Sequence, residues 1–116
     1  MGMFDKDAFF RAQMMTEWVD KDEPFLLWGV AVTPSEITTN IGKAYGAILH
    51  VSPVDSPDNK TSISTFAQTI VERCRDAEES DFPVVVKWTT VPGSFGTDAT
   101  ILEFVGSYAT QPEAQS

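Results

Sequence analysis

Between Asp81 and Tyr108, two runs rich in β-branched and aromatic residues flank Pro92-Gly93-Ser94-Phe95-Gly96. Such side chains suit a pleated surface, and a short glycine-containing connection suits a reversal of direction, so the stretch predicts a β-hairpin. Its register can be checked within the sequence. If Lys87 faces Glu103, then Thr89 faces Ile101 and Val91 faces Ala99. The ladder then closes on a loop centred near Phe95 and sets opposite charges side by side.

A chain of 116 residues has room for one domain with a real core and not for two. We assign that domain to residues 1–108 and expect the polar, proline-containing segment 109–116 to be a disordered tail. Hydrophobic residues at 42 % and charged residues at 22 % are ordinary globular values, which argues against wholesale disorder despite a net charge of −9. The single cysteine, Cys74, excludes an internal disulfide and fits a reducing compartment. The start, Met1-Gly2-Met3-Phe4-Asp5-Lys6-Asp7, has neither a basic region nor a continuous apolar run, and no later stretch approaches the length of a membrane span. The expectation is a soluble cytoplasmic protein without a membrane partner. Seventeen acidic against eight basic side chains give a field that repels phosphate at long range. The acids concentrate in Asp5–Glu23 and Glu72–Asp81, however, which leaves room for a neutral or mildly basic face elsewhere.

From the N-terminus, Ala8, Ala12, Met15 and Val19, with a second line at Phe10, Met14 and Trp18, predict a helix over 5–20. Asp5 is its expected N-cap, and Asp7 lies in its first turn. The apolar arc is wide enough to plug one end of a core, and its second line could instead meet another subunit. Lys21-Asp22-Glu23-Pro24 ends the helix. Phe25 to Val32 is apolar on both alternate faces, which predicts a central or strongly curved strand with Gly29 as its bend. Ile37-Thr38-Thr39 resumes β-prone sequence after Thr33-Pro34-Ser35-Glu36, and Asn40-Ile41-Gly42 is a turn in which Gly42 is free to take positive φ. Lys43 to Val51 reads as the next strand, with Tyr45, Ala47, Leu49 and Val51 facing inward. Thr61 to Ser64 reads as a short third strand. Thr65 and Gln68 form a Thr-x-x-Gln capping-box pattern ahead of a second helix whose apolar stripe is Phe66, Ile70, Val71, Cys74 and Ala77.

The fold class expected is therefore mainly β with two helices. Leaving out the N-terminal helix, the order β-β-β-α-β-β fits a five-stranded OB-fold-like barrel with a helix capping one end. A barrel also accounts for strands that are apolar on both faces. The rival architecture is an α+β sandwich with both helices on one face of an antiparallel sheet. Thr39-Asn40-Ile41-Gly42-Lys43-Ala44, Ser64-Thr65-Phe66-Ala67-Gln68 and Asp81-Phe82-Pro83-Val84-Val85-Val86 resemble small OB-fold proteins, including the single-stranded-DNA-binding proteins of bacteria and their phages. The likeness runs from about Phe25 to Phe104. It implies single-stranded DNA as partner and a replication or recombination role, in a bacterial host's cytoplasm if the source is a phage. The chain departs from that family in its acidity and in ending Gln111-Pro112-Glu113-Ala114-Gln115-Ser116, without a hydrophobic tip.

No catalytic signature stands out, and no enzyme activity, metal or cofactor is expected. His50, the only histidine, lies in mid-strand without a partner for a zinc site or a nucleophile pair. Cys74 falls on an apolar helix stripe, where an inert thiol is the default. Single-stranded nucleic acid is held by rings under its bases and a few cations along its phosphates. On that chemistry the candidate binding residues are Trp28, Lys43, Tyr45, Lys60, Lys87, Trp88 and Phe95, although the plainer reading of Trp28, Tyr45 and Trp88 is core. Pairing with Glu103 is the plainer role of Lys87. Self-association through the N-terminal helix would place several weak sites on one strand. The competing expectation is a small acidic protein that mimics nucleic acid and binds a basic protein partner through Glu72, Asp76, Glu79 and Asp81.

Overall fold

A computed structural model describes residues 6–39, 42–93, 96 and 98–107. In chain order it contains α1 (Lys6–Arg11), β1 (Gln13–Met14), α2 (Met15–Trp18), β2 (Phe25–Val32), β3 (Ile37–Thr39), β4 (Gly42–Ala44), β5 (Ala47–Pro53) and β6 (Thr61–Thr65). These are followed by α3 (Gln68–Asp76), a 3-10 turn (Glu79–Asp81), β7 (Val84–Pro92) and β8 (Asp98–Ser107). The protein is mainly β. A six-stranded sheet runs β1-β6-β5-β2-β7-β8, and β3 and β4 form a separate two-stranded ribbon. Gly42, the first residue of β4, has the positive φ expected of it, +123°.

The hairpin forms in the register that charge and alternation dictate, with Lys87 opposite Glu103, Thr89 opposite Ile101 and Val91 opposite Ala99. Phe25, Leu27 and Val30 of β2, Ala47, Leu49 and Val51 of β5, Ile63 of β6 and Val86 of β7 point to one face and make the main core. Ile70, Val71 and Cys74 of α3 and Met15 of α2 close it from above. The opposite face carries a smaller cluster in which Phe9 of α1 packs on Ala31 and Ile48, with its ring edge-on to Phe66 at 4.9 Å.

The expected barrel does not close. A cylinder made from β2, β5, β6, β7 and β8 would need a ladder between β6 and β8, and the sheet instead ends at β8 on one side and β1 on the other. The cause lies in β2, which pairs with β7 only through Phe25, Leu27 and the residue between them, and then runs on beside β5 alone. From Lys87 to Pro92 the outer part of β7 ladders only with β8, so the hairpin diverges from β2 instead of curling round to β6.

The single N-terminal helix over 5–20 is also overturned. Gln13 and Met14 leave the helix and pair in parallel with Ile63 and Ser64, giving the open edge of β6 backbone partners that a continuous helix could not supply. Met14 is extended, at φ −66° and ψ 144°, before α2 begins. Asp5 lies outside the described residues. Lys43 to Val51 is likewise two strands, broken at Tyr45 and Gly46, where Thr33 and Gly46 exchange hydrogen bonds. The Gly46 amide donates to Thr33 Oγ1 at 3.1 Å, and the Thr33 amide donates to the Gly46 carbonyl at 3.0 Å. The Thr65–Gln68 capping box does not form. Thr65 is the last residue of β6 and its Oγ1 accepts from the Ala67 amide at 3.1 Å, while Gln68 Nε2 donates to the Tyr45 and Phe66 carbonyls at 2.9 and 2.7 Å. The 109–116 tail lies outside the described residues.

Candidate functional site

Along β2, Phe25 and Leu27 point into the main core, so alternation turns Trp28 to the opposite face. Leu27 faces Val51 and Gly29 faces His50, so the strand carries a β-bulge at Trp28, and the extra residue brings Val30 back to the core face. The indole is half-buried, and its Nε1 donates to Ser52 Oγ at 2.8 Å, which covers a wholly buried hydroxyl on the face away from the main core. Lys60, in the loop leading to β6, places Nζ 4.0 Å from the centre of the Trp28 ring, within reach of a cation–π attraction. His50, exposed on β5, has Nδ1 3.0 Å from Ser62 Oγ on β6. Trp28, His50, Glu79, Phe82 and Pro83 line a hollow of about 380 Å³ on this face.

The other anticipated residues do not assemble there. Lys43 is exposed on β4 in the separate ribbon. Tyr45, half-buried against the main core, stacks under the Arg75 guanidinium at 5.0 Å. Trp88 packs against the core face and donates Nε1 to the Val19 carbonyl at 2.9 Å, a structural role that removes it from a base-stacking surface. Lys87 alternates with Val86 and Trp88 and so falls on the opposite face, the one that carries Trp28, but beyond the start of β2 and opposite Glu103. Phe95 lies outside the described residues. The structure thus brings together Trp28 and Lys60, and adds Ser52, His50 and Ser62. Only the Trp-Gly step in an apolar run hinted at this, because a glycine inside a strand marks a bulge as readily as a bend.

Cys74 is 2 % exposed, and burial pushes its thiol from 9.0 up to about 12, against a smaller downward pull from Arg73. A thiol so held is protonated at neutral pH and a poor nucleophile. Among the described residues no group of three His, Cys, Asp or Glu is placed to hold a metal ion, and no helix is long and apolar enough to cross a membrane. In comparison with known proteins, no family model, no curated protein and no solved structure matches the chain.

Proposed function

We propose that the sheet face around Trp28 binds single-stranded nucleic acid, DNA in the first instance, with little sequence preference. The protein would act as a non-enzymatic accessory in bacterial or phage replication or recombination. The observation that carries this reading is the Lys60 ammonium poised over the ring of a bulged, half-buried tryptophan. A nucleobase can take the ammonium's place on the indole, leaving the cation free to meet the adjoining phosphate. Stacking of this kind contributes about 1 to 3 kcal/mol per base. The strand sequence β6-β5-β2-β7-β8, with α3 between the third and fourth of these strands in the chain, further supports an OB-type fold left open between its third and fifth strands. In such folds the face of the second and third strands is a nucleic-acid surface, and here those strands carry His50 and Ser62. Self-association would multiply weak sites, and Phe10 and Met14, 52 % and 36 % exposed, are the apolar residues the N-terminal segment offers for it.

Titration with oligothymidine, followed by tryptophan fluorescence and by anisotropy of a labelled strand, tests the reading. Quenching and binding are expected in the native chain and in Trp88→Phe, and loss of both in Trp28→Ala with its circular dichroism unchanged. A flat signal, or undiminished binding by Trp28→Ala, overturns it. If the chain then retains a basic protein while ignoring DNA, the acidic-mimic reading takes its place.

A further inference from the structure

A hollow of about 550 Å³ lies away from Trp28, between α2, the segment entering β2, and the end of β5. Trp18 lines it, with its ring edge-on to that of the buried Phe25 at 5.5 Å and 85°. Val54, 41 % exposed, also lines it, as do the carboxylate residues Asp20, Glu23 and Asp55. Among the described residues no lysine, arginine or histidine lines it. Its wall is held in place, because Trp88 Nε1 donates to the Val19 carbonyl and the Asp22 amide donates to the Trp88 carbonyl, both at 2.9 Å.

We infer that this hollow receives an arginine or lysine side chain presented by a partner protein. Carboxylates alone would only gather counter-ions. What sets this place apart is apolar surface beside them, from the half-buried Trp18 and the exposed Val54, which matches a side chain that buries a hydrocarbon stem while keeping its charged head at the rim. A guanidinium or ammonium beside Trp18 also meets a ring face that attracts cations. The occupant is a cation because three carboxylates with no neutralising partner in the lining repel any anion, so the nucleic-acid strand proposed for the Trp28 face is kept out of this one. The net charge of −9 steers a basic segment towards the molecule.

The probes are N-acetyl-arginine methylamide and N-acetyl-lysine methylamide, titrated into the isotope-labelled full chain and followed by amide and indole NMR shifts. N-acetyl-norleucine methylamide is the neutral control. The Trp18 indole N–H and the Val54 amide are expected to move with both cationic probes and not with the control. The Glu23→Gln, Asp55→Asn double variant should weaken binding at least about threefold, since each exposed ion pair contributes little. Glu72→Gln with Asp76→Asn, on α3, should leave binding unchanged, as should Trp28→Ala. Shifts spread evenly over acidic surfaces, equal response to norleucine, no response, or indifference to Glu23→Gln, Asp55→Asn would each overturn the inference.

Discussion

Trp28 and Trp88 sit on adjacent strands and have opposite roles, and the difference comes from strand register rather than residue type. Trp88 keeps step with Val86 and is drawn into the core, whereas Trp28 falls out of step with Phe25 and Leu27 and faces outward. Composition cannot reveal which of two tryptophans faces the core, so both were candidates in the sequence. The pairing of Lys60 with Trp28 was equally illegible, because it depends on how the loop before β6 crosses the sheet. His50, by contrast, was legible as a strand residue. Gly46 and Cys74 show smaller effects at this scale. A Cβ on Gly46 would lie 2.5 Å from Phe9 Cζ, and the Phe9 ring is itself buried. Gly46→Ala should therefore destabilise by about 1 to 3 kcal/mol and loosen α1, measured by urea unfolding and by proteolysis near Arg11. The Cys74 thiol holds its proton up to about 12 when folded, against 9.0 when free. Between these values the unfolded chain releases more protons, so this contribution is intact below pH 9 and is lost as pH rises towards 12. Urea midpoints should fall more steeply across that range in the native chain than in Cys74→Ala.

The hairpin is the best-read element because its information is local: two alternating runs and one short loop fix a register that nothing distant contests. Lys87→Glu would set like charges side by side and should cost up to about 1 kcal/mol, recovered on adding Glu103→Lys. Equal urea midpoints for the single and double variants would disprove the pairing. The N-terminal segment was misread for the converse reason. Its helical spacing is genuine, and α1 and α2 both use it, but the unpaired edge of β6 competes for Gln13 and Met14 and wins two residues of backbone. The capping-box motif failed in the same way, since β6 claims Thr65 for its last ladder position. Where an element's fate depends on a partner remote in sequence, local pattern gives its composition and not its boundaries.

The main core and the strand order come from the whole molecule, and of the core the inward set Ala47, Leu49 and Val51 and the helix stripe Ile70, Val71 and Cys74 were legible beforehand. Charge acts at the same scale. With one cation, Lys60, placed at the Trp28 ring and an acid excess around it, few counter-ions can be released on binding. The affinity for oligothymidine should therefore fall with salt at a logarithmic slope of about −0.7, the value for a single phosphate contact. A slope several times steeper would point to a different, more basic surface. The failure of the sheet to close has its own outcome. One flank is finished by a stub of two residues backed by a helix, while among the described residues the ten of β8 present an unlaminated margin. Docking of a second copy along that margin would cover the β8 border of both molecules at once. Growth along that border then halts at a pair.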